Sequence, residues 1–280
     1  MANIGLINLL LIFVNVAVSY KGLKDRSFFN RYAFDVDNIL VYKDYKRMVS
    51  SGFLHVSWMH LLFNMFALYI FGNSLELKLA PSGYLTLYFI SLIGGNILSL
   101  MIHRNNGDYS AVGASGAVCG VIFASIALFP DMRIGFFGIP FSIPAWAYGV
   151  LFVLYSIYGI RSKKDNIGHE AHLGGALIGM VAGLCMKPEV IAENYLTILS
   201  ILFPGMLFIF VIVNCPHIFF IDNKHFKAHM GDYHLDDRYH LERSGQEQDL
   251  DYLLEKIHQR GMKSLTRKER EMLMKYSQEV

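Results

Sequence analysis

Residues 111–130 read AVGASGAVCGVIFASIALFP. No Lys, Arg, Asp or Glu interrupts this run, and it is apolar around a helix's whole circumference, as a helix in lipid must be. About 18–22 such residues cross roughly 30 Å of hydrocarbon. Similar blocks lie on both sides, at about 2–20, 57–79, 83–103, 143–160, 168–186 and 195–213. They explain why 54% of the 280 residues are hydrophobic, above the usual 45–50% or so of soluble domains. The expected fold is an all-α, multi-pass membrane protein.

The connectors sharpen this outline. Residues 21–56 mix Phe28, Phe29, Tyr32, Phe34, Tyr42 and Tyr45 with Lys, Arg and Asp, a composition suited to the headgroup zone, so short interfacial helices are expected there. The first block lacks a preceding cation and an A-x-A site, and is read as a retained span. Residues 195–213 carry no formal charge but contain Pro204-Gly205; they form a seventh span or a broken interfacial segment. Beyond about 222 the chain turns polar. Leu250, Leu253, Leu254 and Ile257 follow helical spacing, and Thr266 to Glu269 is a capping box, so 222–280 is read as a soluble tail with a helical hairpin at 247–278.

Several functions are disfavoured. A net charge of +2 without a basic stripe gives no sign of nucleic-acid binding. Cys119, Cys185 and Cys215 lack zinc or redox spacing and read as buried thiols. His225, His229, His234 and His240 lack ligand spacing and read as solvated. His169-Glu170-Ala171-His172 is one residue short of the H-E-x-x-H zinc motif.

Polar residues inside spans mark function. His60 and Asn64 open the second block, Ser115 the fourth and His172 the sixth. Even-numbered spans start at the same membrane face, so these residues share one depth. Gly116, Gly120 and Ala124 form a small-residue row; Gly175, Gly179 and Gly183 form another. Packed together, such rows let two helix backbones approach closely. That packing would bring Ser115 within reach of His172. A serine needs a base to become nucleophilic, and neutral imidazole serves at neutral pH. Candidate donors to the developing oxyanion are His60, Asn64 and the Ser115 backbone N–H, which at a helix start lacks an intrahelical partner.

These strings resemble the rhomboid family of intramembrane serine proteases. The matching elements are His55-Val-Ser-Trp-Met-His60-Leu-Leu-Phe-Asn64, Gly113-Ala-Ser115-Gly116, Ala171-His172-Leu-Gly-Gly175 with Gly179, and Gly72-x-x-x-Glu76. The resemblance spans about residues 1–186. It implies a six-helix core (domain 1–190), a Ser115–His172 dyad without a third acid, an oxyanion hole using His60 and Asn64, and no cofactor. The implied partners are transmembrane protein substrates and the lipid bilayer, with oligomeric state left open. The string from Leu253 to Thr266 resembles the tail of Bacteroidetes rhomboids, so a bacterial inner (plasma) membrane is expected. The alternative is a catalytically inactive relative that binds membrane proteins.

Three positions depart from the family pattern. Cys119 stands one turn below Ser115, where many relatives have an aromatic. Lys46-Arg47 replaces Trp-Arg, and Ala80 replaces a common Gly. His55 is expected to brace a loop, Glu76 to cap a helix, and His103 and His169 to lie at the interface. Family orientation puts the N-terminus inside and the dyad facing outward. The Lys/Arg count points the other way, because the loops at 21–56 and 161–168 hold most of the cations.

Overall fold

The computed structural model describes residues 5–136, 139–162 and 167–214, with residue 256 alone beyond them. The chain divides into two compact units, Met1–Asn223 and Lys224–Val280. The expected tail hairpin, Cys215 and the tail histidines lie outside the described residues.

The first unit is mostly helical. Helix α1 is Leu6–Lys24. Its N-cap, Gly5, offers no side chain, so another element satisfies the free N–H groups. The Glu76 carboxylate accepts from the N–H of Ile7 (3.1 Å) and Asn8 (2.8 Å). Asn8 in turn donates to the Leu68 carbonyl at 3.1 Å and accepts from the Tyr84 hydroxyl at 2.7 Å. Both polar groups tie α1 to the long helix α5, Trp58–His103.

Ser57 caps α5 by accepting from the His60 N–H. At 1.5 Å per residue its length is about 69 Å, twice a bilayer's hydrocarbon. It breaks at Ala80, which has φ 61° and ψ 162°, followed by Pro81, which has no N–H to donate. Two arms result, 58–79 and 81–103, where the hydrophobic pattern gives two blocks.

The connector before α5 folds into α2 (Arg26–Tyr32), α3 (Val36–Leu40) and α4 (Arg47–Ser50). Arg47 is buried and organises it, donating to the carbonyls of Asn30 and Ala33 at 2.8 Å and to Asp44 at 3.0 Å. Strand β1, Phe34–Asp35, pairs antiparallel with β2, Ser110–Ala111. A second antiparallel pair joins β3, Arg133–Phe136, to β4, Ile139–Pro144. The all-α reading contains neither. The β3–β4 pair is made of Ile and Phe set beside Gly135, Pro140 and Pro144, residues that suit short strands over helix.

The core is built on α6, Ser115–Leu128, buried from Gly116 to its end. Only 14 residues long, it is shorter than the apolar block 111–130, because β2 and the Gly113 turn occupy the block's start. Helix α7 is Ala145–Ser162 and α8 is His169–Met186. The expected seam exists. A methyl placed on Gly175 would meet the Gly116 carbonyl oxygen at 2.1 Å, and one on Gly179 would meet the Gly120 Cα at 2.3 Å. The opposite face of α8 is equally close to α5: a methyl on Gly95 would lie 2.4 Å from the Ala171 carbonyl oxygen. Helix α8 is thus packed closely between α6 and the second arm of α5 at its glycines, with the Ile178 side chain over Gly94.

Helix α9, Ile191–Asn214, departs from helical geometry at Asn194 and continues through Pro204. The Asn194 amide donates to the carbonyls of Ile126 and Ala127, which the end of α6 leaves without helical partners. Among the described residues, three stretches are long and apolar enough to cross a membrane: Leu6–Lys24, Trp58–His103 and Pro188–Asn214.

Candidate active site

Ser115 is the first residue of α6 and His172 lies in the first turn of α8. The glycine seam sets the distance between these two helix starts. His172 Nε2 and Ser115 Oγ are 2.7 Å apart. With the imidazole neutral, the serine hydroxyl donates to Nε2, the geometry a general base needs.

The turn before Ser115 is held on two sides. Gly113 N–H donates to the Ser51 carbonyl at 3.0 Å. Ala114 N–H donates to His55 Nε2 at 3.4 Å. Since that ring nitrogen accepts, Nδ1 carries the proton and donates to Ser19 Oγ at 2.8 Å, and Ser19 donates onward to the Phe53 carbonyl. His55 is fully buried. Burial, with His60 beside it, lowers its pKa to about 3, so it stays neutral. It acts as the expected loop brace.

Gly113 has φ +140°, a conformation L side chains rarely adopt. A methyl there would lie 2.9 and 3.0 Å from Cε1 and Nε2 of His60, and 3.4 Å from Ser115 Oγ. The space over Gly113 is therefore bounded by the His60 ring and the serine. His60 stands edge-on to His55, with ring centroids 4.9 Å apart. Its Nδ1 is buried without a partner among the described residues. Asn64 is buried on the same helix, but its amide donates back to the His60 carbonyl at 3.0 Å. This bond uses one of the amide's two N–H donors.

The likeness to known proteins runs through the same residues. The chain matches the Rhomboid domain over residues 42–189, just over half its length. It belongs to the rhomboid family. Rhomboid protein 1, mitochondrial, of Saccharomyces cerevisiae is 33% identical over 54% of this chain and 46% of its own length. RHOMBOID-like protein 12, mitochondrial, of Arabidopsis thaliana is 28% identical over 60% and 54%. Presenilin-associated rhomboid-like protein A, mitochondrial, of Danio rerio is 30% identical over 48% and 35%. The chain thus spans about half, or less, of these relatives. Residues 233–279 match a family of unknown function, DUF6576.

This rhomboid supports its histidine differently from the aromatic-below-serine pattern. Cys119 is buried one turn along α6 from Ser115, and the His172 ring has Phe152 of α7 at 6.5 Å between ring centroids and 36° between planes and His169 edge-on at 6.3 Å. Phe123 of α6 backs Phe152 at 5.2 Å. Sequence spacing gives no sign of Phe152, because α7 carries no motif. Two further histidines have protein partners: His169 is 2% exposed against Gly159 of α7, and His103 pairs with Glu170. Burial follows from the glycine at 159, which leaves a ring-sized space, and from the carboxylate that receives His103.

Proposed function

We propose that this rhomboid is a serine-type endopeptidase that hydrolyses peptide bonds in or near the transmembrane helices of substrate proteins. The observation that carries the reading is the 2.7 Å approach of His172 Nε2 to Ser115 Oγ. Ser115 attacks the scissile carbonyl, and His172 takes its proton and later gives it to the leaving amine. Water then resolves the acyl-enzyme. The Ser115 N–H, His60 and Asn64 donate to the oxyanion over Gly113. No cofactor is needed for these steps.

The core of this reading comprises six spans: α1, the two arms of α5, α6, α7 and α8, within 1–190. Helix α9 is the seventh span, covering 195–213, and 222–280 is a soluble tail. At 1.5 Å per residue α6 measures about 21 Å, less than the roughly 30 Å of hydrocarbon. With its far end at one surface, Ser115 lies below the other, reachable by water from the polar face. Substrate enters sideways and unwinds locally, since a helical amide is shielded. An apolar cleft of about 270 Å³, lined by Phe66, Ile70, Phe129 and Met132 among others, opens between the first arm of α5 and the end of α6. It lies at the end of α6 opposite Ser115. The tail's resemblance to Bacteroidetes rhomboids supports a bacterial plasma membrane, whereas the yeast, plant and fish relatives carry organellar names.

The Asn64 amide, with one N–H on the His60 carbonyl, brings in a second reading, an inactive relative that binds membrane proteins. Labelling with a fluorophosphonate separates the two. Wild type should label, and Ser115→Ala and His172→Ala should not, with all three expressed alike. No labelling of wild type sinks the hydrolase reading.

A further inference from the structure

We infer that His103 and Glu170 form a tether that positions the base of this rhomboid: it fixes the first turn of α8 and so the His172 ring. The inference rests on the proposed hydrolysis.

His103 is the last residue of α5, and Glu170 is the second residue of α8, two before His172. His103 Nε2 lies 2.9 Å from Glu170 Oε1, and the two side chains are only 13% and 9% exposed. A carboxylate only accepts, so Nε2–H is the donor. The pair joins a helix C-terminus to a helix N-terminus, and each side chain suits its end: an imidazole near the last carbonyls, a carboxylate near the first N–H groups. The α8 N-cap, Gly168, has no capping side chain, which leaves that role to Glu170.

A second contact fixes the donor. The His103 ring stacks on Tyr109 at 3.6 Å and 5° between planes. Tyr109 is itself anchored, its carbonyl accepting from Val36 N–H at 3.2 Å and its ring edge-on to Phe34. A rigid chain therefore runs from the connector through Tyr109 and His103 to Glu170. The glycine seams and buried Leu173, Leu177 and Met180 fix the body of α8, but none of these side chains lies in its first turn. A polar tether at the end of the helix supplies a restraint there.

Displacing a reacting group by about 1 Å can cost on the order of 10²-fold in rate. The test uses the full chain in lipid vesicles and measures the rate of Ser115 labelling by a fluorophosphonate, with Ser115→Ala as control. Glu170→Ala and His103→Phe, the latter keeping the stack without the donor, should each slow labelling about 10- to 100-fold. The double variant should be no slower than the slower single one. Glu170→Gln keeps an acceptor for His103 and should restore labelling to near wild type. On a transmembrane reporter the loss should fall on kcat and leave KM unchanged. Wild-type labelling in Glu170→Ala, single effects that multiply in the double variant, or failure of Gln to rescue would each overturn the tether. Absence of labelling in wild type would remove the hydrolysis itself, and this role with it.

Discussion

His55 shows how one buried side chain makes stability depend on pH. Its folded pKa, about 3, lies below the ordinary value of 6.5. As pH falls, the unfolded chain takes up this proton first. The contribution is therefore complete above about 6.5 and declines as pH falls toward 3. The thermal midpoint of the solubilised protein should drop over that window, and His55→Gln should show a shallower drop alongside a lower midpoint at neutral pH. An equal slope in both proteins would refute this. Gly113 makes the complementary case. Alanine there must strain a backbone at φ +140° and push on the His60 ring. Gly113→Ala should cut fluorophosphonate labelling by at least about 100-fold, because displacing the donors and nucleophile of one site has that scale of cost. Asn64→Ala should cost less than Ser115→Ala, on the order of 10²–10³ in reporter cleavage or below, since other donors remain.

At the scale of elements, the break in α5 carries a stored cost. Ala80 holds φ 61° and ψ 162°, a region essentially reserved for glycine and worth about 1–3 kcal/mol of strain for other residues. Ala80→Gly should raise stability by about 1 kcal/mol after its extra unfolded-state entropy is deducted, seen as a higher midpoint with unchanged labelling. A lower midpoint would show that the bend relaxes elsewhere. The seam between α6 and α8 is legible in the sequence, because small residues four apart form a row whatever the rest of the fold does. The break at 80 is half legible, through Pro81 and the missing glycine. The two strand pairs, the Asn194 cap on α6, the support from Phe152 and the His103–Glu170 pair are not. Each depends on residues distant in sequence that meet only once the helices pack, and none repeats with a period. The dyad lies between these cases. Ser115 and His172 stand out as polar residues in lipid-length blocks, but their 2.7 Å separation depends on how closely the glycines let the two helices approach.

For the whole molecule, topology turns on which membrane face carries the dyad and whether α9 crosses. In the proposed six-span core, one span separates the N-terminus from the 21–56 connector, and seven separate it from the tail if α9 crosses. Odd counts put the connector and the tail on the same side; with only six spans they lie on opposite sides. A pair of single-cysteine probes therefore answers both questions. In a background with Cys185 and Cys215 replaced by serine, Ser27→Cys reports the connector and Gly245→Cys reports the tail; Cys119 is buried. Ser27 itself is exposed on α2. The expected outcome is that both cysteines react with a membrane-impermeant maleimide in intact cells, placing the dyad on the outer face. That arrangement leaves the connector's cations outside, against the usual inward bias of Lys and Arg. Its connector is long and folded, with Lys21 over Phe28 and Lys24 over Tyr20, so these cations are held against aromatic rings. Reaction of Ser27→Cys only after permeabilisation would reverse the orientation. Reaction of the two cysteines from opposite sides would remove α9 from the spans, whichever face the dyad occupies.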